Sequence, residues 1–364
     1  MSRILNVIQC ANLGGMEKVN LLRLVALKKR GHIVKMISIN PIGELRSLLE
    51  EARIDHEGLA YKGPAGFLGI GDIRKKMREF SPDAIIQTGH NMAATAAMSG
   101  ICVGRRLLCL QYHHSESLRL KWKLIYWQAL KTFNRITYCA DFIRNEAIGI
   151  VPEMRARSEV LYDPCEMPLM ISLSEKQKAR RKLKLKPTEW VIGNGGWLIK
   201  RKRFDVFINV LARLNSIHPT RGLIAGDGPE RAALKNFAKQ KGIGGRILWL
   251  GWIKDIRNFY AALDVLEFNS DFDALCRTPI EASTLGIPSV CSLKDGGLNE
   301  IFGKIKGLEA LNEHDESKLT NRCVQFLKNK KLGRSSSERL RIKLKAIGDP
   351  EDHARRVEAL LGIK

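Results

Sequence analysis

The sequence predicts an α/β protein of two Rossmann-like domains that face each other across a cleft. Three observations predict it. The chain has 364 residues, too many for one comfortable hydrophobic core and about right for two domains. Short continuous apolar runs alternate with longer stretches of helical periodicity, as expected for strands buried on both faces of a parallel sheet and joined by crossover helices. The alternation occurs twice, on either side of a Pro-containing, strongly basic interruption at 163–186, which reads as a linker leading into a surface helix. The predicted boundaries are an N-terminal domain over 1–165, a C-terminal domain over 166–345, and a terminal segment, 346–364, whose helix can pack back on the N-terminal domain.

In the first half, the run Ile4, Leu5, Val7, Ile8 predicts a buried strand over 3–9. A loop at 11–15 follows, and Leu21, Leu22, Leu24, Val25 and Leu27 then give a helix over 16–30 a broad apolar face. Gly31 ends that helix as a C-terminal cap, and 32–40 returns as a strand, completing one βαβ unit. A strand at 84–88, a helix at 92–102 and strands at 106–111 and 136–138 continue the rhythm. The second half reads strand 190–195, helix 204–215, strand 222–225, helix 230–241, strand 246–250, helix 256–263, strand 265–269, helix 279–285 and strand 288–292. Ala354, Val357 and Leu361 share one face of a terminal helix, 350–361, stopped by Gly362. In sheets of this kind, ligands collect beyond the carboxyl ends of the strands.

Hydrophobic residues at 45% and charged residues at 27% fill two cores and exclude a disordered chain. The net charge of +23, from 61 Lys and Arg against 38 Asp and Glu, favours anionic partners. Basic runs lie at 73–78, 119–123, 176–186, 200–203 and 328–345. The eight cysteines form no Cys-x-x-Cys pair, which argues against a zinc site or a disulfide framework and for a reducing compartment. Residues 1–15 lack a signal-peptide core. The longest apolar stretch, 93–104, falls short of the ~20 residues that span a bilayer. The expected location is the cytoplasm, with membrane association limited to the inner surface.

Several loops carry candidate chemistry. Gly14-Gly15 joins a buried strand to a helix whose free N–H groups suit a phosphate, or forms a simple tight turn. After the first strand of the second half come Asn194-Gly195-Gly196-Trp197 and then Lys200-Arg201-Lys202-Arg203. Basic side chains at a strand–helix junction would neutralise a diphosphate leaving group; a nucleic-acid patch or a localisation signal are the alternatives. Asp273 and Glu281 are separated by seven intervening residues, with Glu281 in the entry of an apolar helix. An acid there could accept hydrogen bonds from ribose hydroxyls, or simply complement the helix dipole. His113-His114 follows strand 106–111 at its carboxyl end, where a neutral imidazole could relay a proton; His90 follows another strand.

An ordered series ties these pieces together. It runs Ile224-Ala225-Gly226-Asp227-Gly228-Pro229, Leu250-Gly251-Trp252, Tyr260, Ala262-Leu263-Asp264-Val265, Ser270, the Asp273/Glu281 pair, Gly286-Ile287-Pro288 and Gly296-Gly297 with Glu300. In this order the sequence resembles the family 4 glycosyltransferases, retaining enzymes of the GT-B fold. The resemblance covers nearly the whole chain and is strongest over 193–302. It implies that Glu281 binds the nucleotide ribose, that Asp273 stands where the first acid of the pair contacts the donor sugar, and that Lys202 holds the diphosphate. It further implies that the backbone of Ala274, Leu275, Cys276 and Arg277 lines the sugar and phosphate, and that Gly15 closes on the phosphate from the other domain. His113, by register, stands near acceptor and donor sugar, and His113, Asp273 and Lys202 form the implied catalytic set.

The implied activity is hexosyl transfer with retention from a UDP- or GDP-sugar to a glycan or glycolipid, in surface polysaccharide or lipopolysaccharide synthesis. The resemblance implies no metal and no cofactor, and an anionic membrane surface is a further partner suggested by the charge. Three positions depart from the family pattern. Asp273 is a methylene shorter than the usual Glu. Trp197 occupies the place of an Arg, with Lys200 or Arg201 as substitute cations. The 274–277 loop lacks the usual glycines. These departures leave open the donor and a divergent or inactive member. Two rival readings are a sugar-nucleotide enzyme of another reaction class on the same fold and a basic nucleic-acid-binding protein; the loop motifs argue against the latter.

Overall fold

In the computed structural model, residues 1–61, 67–99, 104–111, 118–253, 255–303, 311 and 313–363 are described. They form two compact units, Met1–Cys165 with Ile347–Lys364, and Glu166–Ala346. The last residues of the chain thus belong to the same unit as the first.

The first unit runs β1 (Arg3–Ile8), α1 (Gly15–Lys29), β2 (Ile33–Ser38), α2 (Arg46–Glu51), β3 (Asp55–Gly58), α3 (Ile70–Phe80), β4 (Ala84–Thr88), α4 (Met92–Met98), β5 (Arg106–Leu110), α5 (Arg119–Thr132), β6 (Arg135–Tyr138), α6 (Asp141–Ile150), α7 (Met154–Arg157) and β7 (Ser158–Val160). Its sheet has the order β3-β2-β1-β4-β5-β6-β7, and the pairs are parallel. Central β1 is buried on both faces, which explains its uninterrupted apolar run. The helix expected over 92–102 is seen to Met98, and its remaining positions from 100 on lie outside the described residues. Between 40 and 84 the sequence reading placed no element; the structure has α2, β3 and α3 there. β3 carries Asp-His-Glu-Gly at the sheet edge, which gives no apolar signal.

The terminal helix, Pro350–Leu361, is capped by the Asp349 side chain, starts with Pro350, and stops at left-handed Gly362. Ala354, Val357 and Leu361 enter the core formed with Leu24, Leu27 and Met36. Around this core, Arg30 donates to both Glu358 oxygens at 2.6 and 2.8 Å, and Glu358 also meets His32 Nε2 at 2.8 Å. Deeper, the buried Arg23 Nε donates to His353 Nε2 at 3.1 Å. That leaves His353 Nδ1–H to donate to the Tyr162 carbonyl at 3.0 Å. Burial first, and the Arg23 charge next, push the His353 pKa well below its usual value, so this imidazole is neutral.

The second unit runs α8 (Leu173–Lys182), β8 (Trp190–Gly195), α9 (Phe204–Ile217), β9 (Thr220–Ala225), α10 (Arg231–Gln240), β10 (Ile247–Gly251), α11 (Ile256–Ala262), β11 (Val265–Asp273), α12 (Arg277–Thr284), β12 (Ser289–Gly296), α13 (Leu298–Phe302), α14 (Glu316–Lys328) and α15 (Lys330–Gly348). Its parallel sheet has the order β10-β9-β8-β11-β12. The basic interruption yields α8, whose start is a capping box between Ser172 and Glu175. The chain is α/β with two parallel sheets.

One correction concerns the ends of two adjacent strands, β11 and β12. The sequence suggests that the strand at 265 ends at Asn269, leaving Asp273 in a loop. In the structure β11 continues to Asp273 and β12 to Gly296, paired in register. Polar side chains from Asn269 onward hide the strand, because its far end serves a site rather than the core. Gly296 makes the pairing feasible: its φ is +142°, and a Cβ there would lie 1.8 Å from the Asp273 carbonyl oxygen.

Candidate active site

The carboxyl end of the second sheet gathers most of the residues singled out above. β8 ends at Gly195, and the chain turns through Gly196 and Trp197 into a 3₁₀ turn, Lys200–Lys202. Gly226, at φ +128°, packs so closely that a Cβ would lie 1.9 Å from the Gly196 carbonyl oxygen. The loops after β8 and β9 are locked further by the Leu198 N–H to the Asp227 carbonyl at 2.9 Å and the Gly196 N–H to the Ala225 carbonyl at 2.9 Å. The Ala225–Pro229 loop is a brace for the turn that follows β8.

Three ties fasten the basic turn to β11. Ser270 Oγ donates to the Arg201 carbonyl at 3.0 Å, and the Arg201 guanidinium donates to the Phe272 carbonyl at 2.7 Å. Arg203 Nη1 donates to Asp271 Oδ1 at 3.1 Å. Arg203 itself has φ +43° and opens α9, a left-handed conformation that costs a non-glycine residue about 1 kcal/mol. The result is that Lys202 and Asp273 meet in an ion pair, with the Lys202 ammonium also 4.9 Å above the Phe268 ring. Both side chains stay partly open to solvent at 15% and 17%, accessible to a ligand.

Beyond Asp273, Ala274, Leu275 and Cys276 are buried, and the Ala274 carbonyl accepts from the Gly297 N–H at 3.0 Å. This bond holds the loop after β11 against the loop after β12. Burial pushes the Cys276 pKa far up, so it is a thiol and not a nucleophile. Arg277 opens α12, and Thr278 Oγ1 donates to the Gly195 carbonyl at 3.1 Å, bringing the helix start to the end of β8. No side chain caps that helix start and no acid lies in its first turn, so its backbone N–H groups and positive dipole end suit an anion. One turn on, Glu281 accepts from the buried Tyr260 hydroxyl at 3.0 Å and lies 3.7 Å from the Arg277 guanidinium. Tyr260 fixes the carboxylate while leaving it 29% exposed.

Gly15 opens α1 in the other unit. There the Glu17 carboxylate already covers the helix start: a Cβ on Gly14 would lie 2.1 Å from Glu17 Oε2. The two helix starts thus differ, one closed by its own acid and one free of acids. His113 and His114 lie outside the described residues. His90 packs its ring 4.8 Å from Trp122. Among the described residues no cluster of His, Cys, Asp or Glu could hold a metal ion.

With this geometry in view, residues 175–343 match the family model of glycosyl transferases group 1. The match spans 169 of the 364 residues, all within the second unit. Curated relatives include the lipopolysaccharide core biosynthesis glycosyltransferase LpsD of Rhizobium meliloti, 23% identical over 78% of this chain and 76% of its own length. LpsE of the same organism, also a lipopolysaccharide core biosynthesis glycosyltransferase, is 33% identical, but the match spans 29% of this chain and 30% of the relative. Among solved structures, Anabaena Alr3699/HepE in complex with UDP and glucose superposes with a TM-score of 0.86 at 18% identity, covering 100% of both chains. WaaG, a glycosyltransferase involved in lipopolysaccharide biosynthesis, gives 0.75 at 14% identity over 99% of this chain and 100% of its own. The fold is that of the GT-B glycosyltransferases.

Two features escaped the sequence reading. The Tyr260–Glu281 bond could have been anticipated, because both residues belong to the ordered series. The contact of Asp271 with His314 Nε2 at 3.0 Å spans 43 residues with no motif to signal it. Of the substitute cations considered for Trp197, Arg201 reaches back to the Phe272 carbonyl, and Trp197 itself is 57% exposed.

Proposed function

We propose that this protein is a retaining glycosyltransferase of the family 4 type. It moves a hexosyl group from a nucleoside-diphosphate sugar to a glycan or glycolipid in surface polysaccharide or lipopolysaccharide synthesis. One observation carries this reading: the Lys202–Asp273 pair stands at the carboxyl ends of the central strands, beside the acid-free start of α12, inside the segment that matches the group 1 domain.

In this reading the diphosphate lies against the start of α12, and Lys202 turns from Asp273 to the phosphate as the donor enters. Asp273 is then released to accept from sugar hydroxyls, with the backbone of Ala274–Arg277 along the sugar. Glu281, oriented by Tyr260, accepts from the ribose hydroxyls. The anomeric carbon–phosphate bond breaks while the acceptor hydroxyl forms the new glycosidic bond on the same face. The hydroxyl proton passes to the departing phosphate, whose charge Lys202 and the α12 dipole stabilise. Gly15 and His113 are proposed at the far side of the donor. UDP is the preferred candidate nucleotide over GDP, on the strength of the UDP and glucose held by the HepE structure.

The acceptor is proposed to reside at an anionic membrane surface. Among the described residues no helix is long and apolar enough to cross a membrane, but α5 presents an interfacial face. Leu120, Leu124 and Trp127 are exposed at helical spacing. They stand among Arg119, Lys121, Lys123 and Lys131, with no acid in the helix, and the Lys123 ammonium lies 4.9 Å from the Trp127 ring. A basic, Trp- and Leu-bearing face of this kind fits acidic lipid headgroups.

Calorimetric titration across a panel of UDP- and GDP-sugars, with Lys202→Ala and Glu281→Ala alongside, tests the donor site. Selective binding of one donor, weakened at least about tenfold but still measurable in each variant, is expected; binding of none, or equal binding by the variants, would overturn the assignment. For the membrane, flotation on phosphatidylglycerol but not phosphatidylcholine vesicles is expected, and abolished in Leu120→Glu/Leu124→Glu. Equal behaviour on both lipids would refute it.

A further inference from the structure

A chain of buried polar side chains runs beneath the site to Asp271 and is not used by the reaction above. On β11, Glu267 and Asn269 point to the same face, two residues apart, and Asn269 Nδ2 and Glu267 Oε2 are 2.9 Å apart. The other end of the Asn269 carboxamide is 2.6 Å from Ser292 Oγ on β12. Ser292 Oγ is 2.6 Å from His314 Nδ1, and His314 Nε2 is 3.0 Å from Asp271 Oδ1. Asp271 accepts in turn from Arg203, which pairs with Asp205 as well. Glu267, Asn269 and Ser292 are inaccessible to solvent.

Counting protons restricts how these groups can be bonded. Suppose Glu267 is ionised. The Asn269 amide then donates to it, Ser292 donates to the Asn269 carbonyl, and His314 Nδ1–H donates to Ser292. His314 Nε2 would then face a carboxylate with a bare lone pair unless the imidazole were doubly protonated. Suppose instead that Glu267 keeps its proton. A carboxamide is isosteric end for end, so Glu267 donates to the Asn269 carbonyl and the Asn269 amide donates to Ser292. Ser292 donates to His314 Nδ1, and His314 Nε2–H donates to Asp271. Each bond is now satisfied with a neutral imidazole, and the donors all point toward the Asp271 carboxylate. With a doubly protonated imidazole the first scheme contains as many protons as the second, and the two then differ by one proton moved from Glu267 to His314.

The surroundings select the second scheme. Glu267 Oε1 has no partner among the described residues, which a neutral acid tolerates far better than a buried carboxylate. Burial, with the Asp205 charge adding to it, raises the Glu267 pKa to about 8. Burial and Arg203 lower that of His314 against the opposing pull of Asp271 and Asp205.

We propose that Glu267, Asn269, Ser292 and His314 form a one-way hydrogen-bonded relay that holds Asp271 in place, so that Asp271 fixes Arg203 and the basic turn presents Lys202 to the leaving group. His314 and Glu267 are positioning residues in this account. They touch no substrate; they set the register of a turn whose last two residues, Lys202 and Arg203, bind β11 at Asp273 and Asp271. The left-handed conformation of Arg203 requires such external support.

The effect on donor binding rests on the donor site proposed above, so the test has two independent arms. The first is ¹⁵N NMR of the histidine side chains, assigned with His314→Gln. A neutral His314 with its proton on Nε2 at pH 7 is expected; an imidazolium or a proton on Nδ1 would overturn the relay whatever the protein binds. The second arm is a double-mutant cycle on donor affinity. His314→Ala should weaken donor binding about tenfold, as expected for losing a hydrogen bond to a charged group, and by less than about twofold in the Lys202→Ala background. His314→Gln, which can still donate to Asp271, should restore most of the affinity. Equal losses in both backgrounds, or no recovery with Gln, would overturn the positioning role. A wild-type protein that binds no sugar nucleotide refutes the donor site and leaves the NMR arm to decide the relay.

Discussion

Replacing Glu267 with Gln should stabilise the second unit, and the gain should grow with pH. In the unfolded chain this carboxyl releases its proton near 4.5, whereas in the folded protein burial holds the proton up to about 8. Between these values the unfolded state binds fewer protons than the folded one, so stability falls as pH rises. The slope approaches ~1.4 kcal/mol per pH unit. Over the whole window the loss reaches a ceiling of about 5 kcal/mol, of which roughly 1.6 kcal/mol falls between pH 6.5 and 8. Gln has nearly the same shape, can donate to the Asn269 carbonyl and cannot ionise. Hydrogen exchange of β11 and β12, corrected for the intrinsic rate at each pH, reads the effect locally. Wild-type protection should decline from pH 6.5 to 8 while Glu267→Gln holds steady, with β1 and β4 as internal controls. A parallel decline in both proteins, or an equal change in β1 and β4, would refute the reasoning.

Three further outcomes follow from particular contacts. Gly296→Ala places a Cβ against the Asp273 carbonyl at a left-handed φ, and should destabilise the second unit by about 3 kcal/mol or more; a wild-type melting temperature would contradict the strand pairing described. His353 is buried and neutral, its pKa held well below 6.5. The first unit should therefore lose stability as pH falls below 6.5, opposite in sign to Glu267, and exchange of β1 and β4 in wild type against His353→Gln would show whether it does. The Glu358 carboxyl is held below its usual value first by Arg30 and then by His32, so its contribution is present above pH ~4.5 and lost below it. Proteolysis within Pro350–Leu361 should accelerate in Glu358→Gln at pH 7, and the difference should shrink progressively as pH falls below ~4.5; identical rates at pH 7 would remove Glu358 from the docking of this helix.

Much of the fold was legible in the sequence because parallel strands are buried on both faces. β1, β4, β8 and β9 read as short apolar runs, and their helices carry apolar faces at helical spacing. What was illegible has physical causes. β3 is an edge strand of polar residues with no run to detect. The last residues of β11 and β12 are polar because they leave the core, and Gly296 allows their pairing through a close approach that no periodicity encodes. At the site, Lys202, Asp273 and Glu281 stood out because they fall within an ordered series of motifs at strand–helix junctions; taken singly, an acid at a helix start only complements the dipole. The hydrogen bond from Tyr260 to Glu281 joins two members of the ordered series and was within reach of the sequence. His314 could not be connected to Asp271 at all, since only the folded chain brings residue 314 to the end of β11.

The most direct test of the account is turnover: release of nucleoside diphosphate from a panel of UDP- and GDP-sugars by the purified full chain, with glycolipid extract as acceptor. Wild type should release diphosphate from one donor and transfer its sugar to the extract, with Lys202→Ala slowed by at least about a hundredfold, as for loss of a charge-stabilising group. Intact donors throughout, or release unchanged in Lys202→Ala, would contradict it.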